Sequence, residues 1–161
     1  MRSKLSALLI CLLAVAFVAF AGIGGSLFWN GVVQRGQEAT RSALPGMAAE
    51  QIPKVFGYDF QTVERSLMET YPLLAPDFRS QFQQDAAAKV IPEARKRQLV
   101  VQISVVGVGV MTAQRDSGSV LVYMNRTVTD KSRQPLYDGS RLRVDYRKID
   151  GNWLINGINP I

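Results

Sequence analysis

Histidine is missing from this 161-residue chain, and cysteine occurs once, at Cys11. Without histidine there is no Ser-His-Asp or Cys-His centre and no zinc site of cysteine and histidine type. One cysteine builds no disulfide framework. A lipoprotein reading centred on Cys11 also fails, because Ile10 precedes it and it stands too early. Repeats and low-complexity segments are missing as well. These absences remove most enzyme classes, and they leave a chain of net charge +6 long enough for one small domain plus an appendage.

Charge is missing from Leu5 to Val33. About twenty-five helical residues reach roughly 37 Å, enough to cross a hydrocarbon layer of about 30 Å with tilt. Trp29 falls where amphipathic rings collect at a membrane interface. Arg2 and Lys4 with Ala19-Phe20-Ala21 also fit a cleaved signal peptide, but the apolar run continues past that point through Ile23, Leu27, Phe28 and Val33. We therefore expect residues 1–4 to be a short cytoplasmic tail, 5–33 a transmembrane helix and 34–46 a stalk. Residues 47–161 are then an extracytoplasmic domain, on a single-pass protein of the cell (inner) membrane. The local Lys/Arg count is tied across the span, so orientation is a preference. Ala21, Gly22, Gly25 and Ser26 form small-residue pairs four apart, candidates for packing against another membrane helix.

The clearest folded signal lies at the other end. Leu142, Val144 and Tyr146 alternate with Arg141, Arg143, Asp145 and Arg147, the period of a strand with one buried face. Asp150-Gly151 supplies a tight hairpin turn, and Trp153 returns diagonally across from Tyr146 on the same face. Pro160 closes the second strand. Upstream, Leu99 to Met111 reads as a valine-rich strand in which Gly107 and Gly109 suggest a bulge or bend. Val120 to Thr129 reads as a central strand, followed by a polar loop from Asp130 to Asp138.

Before the strands come helices. Leu44-Pro45-Gly46 is expected to break the stalk, with Met47 to Phe56 a short helix that Pro53 kinks. Asp59 is a candidate N-cap for a helix carrying Phe60, Val63, Leu67 and Met68. Ala75-Pro76-Asp77 starts the next, whose stripe is Phe78, Phe82, Ala86 and Val90. Pro92 bends or ends it, and Arg95-Lys96-Arg97 forms its basic last turn. The sum is an α+β domain of about three helices packed on a curved antiparallel sheet of about four strands.

Phe56-Gly57-Tyr58-Asp59-Phe60, Leu74-Ala75-Pro76-Asp77-Phe78-Arg79, Val122-Tyr123-Met124-Asn125-Arg126-Thr127 and the final hairpin together resemble the Mce-associated membrane proteins of mycobacteria and other actinobacteria. The resemblance implies a cone-shaped domain similar to nuclear transport factor 2, on the plan of an inner-membrane component of type IV secretion systems. It further implies an accessory subunit that stabilises an Mce complex importing fatty acids or sterols, with Mce-family proteins and their permease as partners beside membrane lipid. The prolines after residue 44 are expected to interrupt the long helix such proteins carry beyond the membrane.

Candidate sites follow from these readings. Arg141, Arg143 and Arg147 form a candidate docking face. Phe78, Phe82, Tyr123 and Trp153 are candidates to line an apolar cavity between helices and sheet, the basis of an alternative lipid-binding role. For an enzyme, the candidate groups are the acids Asp59, Asp77 and Asp145 and the donors Tyr58, Tyr123 and Tyr146. Asp59 and Asp77 are accounted for as helix-start residues, and Asp145 lies among arginines. No catalytic residue, metal or cofactor is therefore expected. Nucleic acid is not expected either, because Asp145 interrupts the basic strip and aromatic residues do not interleave with it.

Overall fold

A computed structural model describes residues 34–161. The expected membrane helix 5–33, with Ala21, Gly22, Gly25 and Ser26, lies outside the described residues. Among the described residues no helix is long and apolar enough to cross a membrane. The described part opens with α1, residues 34–56. There follow β1 (Tyr58–Asp59), α2 (Val63–Thr70) with a 3-10 turn (Tyr71–Leu73), α3 (Pro76–Asp85), a π-turn (Ala86–Val90) and α4 (Ile91–Arg97). The strands β2 (Val100–Ala113), β3 (Ser117–Thr129), β4 (Pro135–Ile149) and β5 (Asn152–Pro160) complete the chain. They form one antiparallel sheet in the order β1-β2-β3-β4-β5. The fold is α+β, as expected, with three helical rods on one face of the sheet.

The expected break at Pro45-Gly46 does not occur, and Pro53 does not end the helix early: α1 runs through both. Burial explains why. Leu44, Ala48, Ile52 and Val55 lie along one side of α1, and each is at most 2% exposed. Each of the larger side chains contributes about 1.5–3 kcal/mol on burial, which offsets a cost of about 3 kcal/mol per interior proline. Thr40 is buried too, so α1 meets the sheet a full turn before Pro45. The contact is close. A Cβ on Gly118 of β3 would stand 2.6 Å from Leu44 Cδ1 and 2.9 Å from the Thr112 carbonyl oxygen.

Pro92 is accommodated in a related way. The helical dihedrals continue through Ala86 and Ile91, so α3, the π-turn and α4 make one rod. Proline removes a backbone donor and crowds the preceding turn, and the wider π-turn just before it absorbs that mismatch. The rod ends at Gln98, whose φ of 55° is left-handed, with the Leu99 N–H donating to the Ala94 carbonyl at 2.9 Å.

The sheet has one strand more than expected. Asp59 is not a helix N-cap: it pairs with Val100 in β1, and its Oδ1 accepts the Gln61 N–H at 2.8 Å while Thr62 precedes the helix. β4 begins at Pro135, so the expected polar loop shrinks and Asp138 joins the ladder opposite Arg126, bonded to it at 2.7 Å. The expected irregularity near Gly107 and Gly109 falls next to them, where the register slips at Val106 and Met111. At the final hairpin Asp150 (φ 50°) and Gly151 (φ 83°) both take the positive φ of a type I′ turn.

The core is divided. One cluster joins α1 and the Leu74 segment to β3, β4 and β5 through Ile52, Leu74, Val120, Val144, Tyr146 and Ile155. A second joins α2 and α4 to the start of β2 through Val63, Leu67, Ala94, Leu99 and Val101.

Candidate functional site

The alternation along β4 sets two surfaces back to back. Leu142, Val144 and Tyr146 are buried under the helices, while Arg141, Arg143 and Arg147 are exposed on the opposite face. Their β3 partners are Tyr123 opposite Arg141, Leu121 opposite Arg143 and Ser117 opposite Arg147. Arg143 Nε donates to Asp145 Oδ1 at 2.9 Å, which neutralises one cation. Among the described residues Arg141 and Arg147 enter no ion pair. The three arginines expected on one face are therefore together, and among the described residues the Arg141 and Arg147 guanidiniums have no hydrogen-bond or ion-pair partner. Tyr123, 44% exposed, adds an aromatic ring beside Arg141.

That position corrects an expectation, because Tyr123 was a candidate lining residue of a cavity on the helix side. It lies on the outer face instead. Trp153 also stands outside the cavity. It pairs with Lys148, diagonal to Tyr146 as expected, packs at the edge of the first core cluster and carries the Lys148 ammonium 5.7 Å from its ring centroid. Phe78 packs on the same cluster, with its ring 6.2 Å from that of Phe82. Of the four residues, Phe82 alone lines the cavity found between the helices and the sheet.

This cavity, about 550 Å³, lies between the α3 rod and strands β2 to β4. Its walls include Val55, Leu67, Phe82, Leu99, Met124 and Leu142, drawn from both core clusters. Its polar side chains are Tyr58, Arg97, Arg126 and Ser140. Arg126 was missed in the sequence. Its position two residues beyond Met124 and four beyond Val122 places it on the inner face, so the period of two held the signal. Burial raises the Tyr58 hydroxyl above the ordinary tyrosine range, and the nearby Arg126 and Arg97 charges pull it partly back.

No carboxylate lines the cavity. Asp59 is in β1, Asp77 is exposed in the first turn of α3, and Asp145 is bonded on the outer face. Tyr146 is buried against α1, where its hydroxyl donates to Gln51 Oε1 at 3.1 Å and burial alone pushes its titration far above the ordinary range. The described residues hold no group of three or more acids that would cage a metal ion. The arrangement offers apolar surface with the hydroxyls of Tyr58 and Ser140 and the guanidiniums of Arg97 and Arg126.

No family model matches the chain. The chain is similar to the uncharacterized Mycobacterium tuberculosis protein Rv1362c, at 31% identity over 124 residues. That alignment covers 76% of this chain and 56% of the relative, so the chain spans little more than half the relative's length. The chain is also similar to the M. tuberculosis outer membrane protein Rv1973, at 27% identity over 92% of this chain and 91% of that one. Among solved structures, the periplasmic domain of DotI superposes with a TM-score of 0.65 at 13% identity, covering 74% of this chain and 94% of that one. An IcmL-like type IV secretion system protein of Legionella pneumophila gives 0.63 at 11% identity, over 75% and 93%. VirB8 of Agrobacterium tumefaciens gives 0.57 at 15% identity, over 70% and 85%. The described domain thus has distant mycobacterial relatives and the cone fold of these secretion-system domains.

Proposed function

We propose that this protein is a non-catalytic accessory subunit at the cell envelope, which docks through the outer face of its sheet onto a larger complex. The observation that carries this reading is the open basic face, where Arg141 and Arg147 are exposed and without ion pairs among the described residues. Guanidinium groups with unused donors beside an aromatic ring make effective anchors at protein interfaces. The names of its likenesses agree with an envelope role: one relative is an outer membrane protein, and the solved neighbours include a periplasmic domain and a secretion-system protein. The complex we infer, from the resemblance to the Mce-associated proteins, is an Mce-type importer of fatty acids or sterols. Its partners are then Mce-family proteins and their permease. In this scheme residues 5–33 anchor the chain in the inner membrane, and the described domain is extracytoplasmic.

The test is a mild-detergent pull-down of tagged full-length protein from native membranes, followed by mass spectrometry. Mce-family proteins and their permease are expected in the eluate. Replacing Arg141, Arg143 and Arg147 by Ser is expected to change folding stability by no more than about 0.5 kcal/mol, as for other surface sites, while most of the captured partner is lost. An unchanged yield in the triple variant removes the docking face. Consistent recovery of the protein without Mce components removes the importer.

A further inference from the structure

The start of α1 and two hairpin turns meet at one end of the domain. A Cβ on Gly36 would stand 3.2 Å from Arg115 Cγ, and the Thr40 hydroxyl lies 3.5 Å from the Arg115 carbonyl oxygen. The β2–β3 turn therefore lies against the first turns of α1. The Lys148 N–H donates to the Asp116 carbonyl at 2.8 Å, which ties the β4–β5 turn to the same place. Gln34 follows directly on the uncharged run from Leu5 to Val33. With that run anchored in the inner membrane, as in the accessory reading, both turns lie close to the bilayer surface. We propose that this end is a membrane seat, in which Arg35, Arg115 and Lys148 contact the headgroups of anionic phospholipids. The anchor is the premise, and the seat adds what a tether alone does not supply, a fixed pose of the domain.

Charge selects the occupant. Arg35, Arg41, Arg115, Arg147 and Lys148 are exposed at this end and enter no ion pair among the described residues. Residues 1–33 supply no partner either, because they contain no aspartate or glutamate. Glu38, Asp116 and Asp150 share this end but are outnumbered, so a positive field remains. Elsewhere, Arg97 and Arg126 are held by Glu93, Asp130 and Asp138. Unpaired cations this close to a bilayer are drawn to a negative surface potential, which reaches about 8 Å at physiological salt. The turns themselves, Gln114-Arg115-Asp116 and Asp150-Gly151-Asn152, are polar, so they suit headgroups rather than acyl chains. Just behind them Trp153 carries the Lys148 ammonium 5.7 Å from its ring centroid. An amphipathic ring beside a cation matches the composition of membrane interfaces. Seated in this way, the strands stand away from the bilayer. The outer sheet face with Tyr123 and Arg141 is then turned sideways, toward a neighbour in the same membrane.

Trp29 and Trp153 are the two tryptophans of the chain, so full-length protein with Trp29→Phe reports from Trp153 alone. It is reconstituted in nanodiscs of phosphatidylcholine, with or without phosphatidylglycerol, each carrying a lipid with a nitroxide on its headgroup. Quenching of the Trp153 fluorescence is then read. Phosphatidylglycerol is expected to raise the quenching constant about fivefold, the factor that one cation supplies at an anionic surface, and high salt to return it to the phosphatidylcholine value. Arg115→Ser with Lys148→Ser is expected to abolish the effect of phosphatidylglycerol, and Arg115→Lys with Lys148→Arg to retain it. Circular dichroism identifies variants that keep the fold. An undiminished effect in the folded serine variant overturns the assignment to these side chains. Equal quenching in the two kinds of disc overturns the seat while leaving the anchor. Protein that fails to enter the discs at all overturns the anchor, and the seat with it.

Discussion

The interface between helices and sheet is solid at one end and hollow at the other. Under α1 the fit is so close that Gly118 has no room for a methyl group beside Leu44. Between the α3 rod and the middle of the sheet, the same protein leaves about 550 Å³ unfilled. Both regions are built from valine, leucine and aromatic side chains, so composition does not separate them. The approach of the helix does. α1 places small and large residues in turn, Leu44, Ala48 and Ile52, directly on β3 and β4. The α3 rod turns only its stripe of Phe78, Phe82, Ala86 and Val90 inward, and Ala86 alone of these is buried.

The largest expected effect breaks the solid end. In Gly118→Val the new Cβ would meet Leu44 Cδ1 at 2.6 Å and the Thr112 carbonyl oxygen at 2.9 Å. The leucine can rotate, but the carbonyl is held in the β2–β3 ladder. The cost is expected to reach about 3 kcal/mol, at the upper end for overpacking. Urea unfolding of full-length protein in micelles measures it. A midpoint within error of the parent would mean that α1 is not seated on β3 as described.

An addition at the hollow end has a smaller expected effect. Leu142 is buried but faces the cavity, so Leu142→Phe directs its extra atoms into open space. The expected change in stability is below about 1.5 kcal/mol, as for a swap that a core tolerates. The same urea titration reads it. A loss equal to that of Gly118→Val would show that the cavity is closed in solution, and the contrast between the two ends would collapse.

This contrast marks what was legible in the sequence. The final hairpin was, because period two and Asp150-Gly151 are local signals that agree with each other. The basic face followed from the same alternation. The continuity of α1 was not legible, since Pro45 and Pro53 are strong local breakers and the burial that outweighs them comes from strands more than sixty residues away. β1 was missed because two residues carry no period. Tyr123 was assigned to the wrong side because β3 opens with apolar residues on both faces, and Leu121, half-buried on the outer face, hides the parity. A stripe such as Phe78 and Phe82 has the same pattern whether it closes a core or walls a cavity.

The smallest expected effect probes the boundary between the two regions, at Tyr146. Its ring belongs to the solid cluster, and its hydroxyl donates to Gln51 on α1 at 3.1 Å. Tyr146→Phe removes that bond but leaves the packing, at an expected cost of about 1 kcal/mol at neutral pH. Alkaline solution changes the comparison. Burial holds the Tyr146 proton far above the pH at which an unfolded tyrosine releases it, near 10. Above about pH 10 the unfolded chain therefore binds fewer protons than the folded one at this site, and the parent loses stability as pH rises. The Phe variant has no such proton, and every other side chain is common to both proteins and cancels in the difference. The stability gap between parent and variant is expected to narrow between pH 9 and pH 11 and then reverse. Parallel curves across that range would show that the hydroxyl is already open to water, and Tyr146 would then belong to the hollow end rather than the solid one.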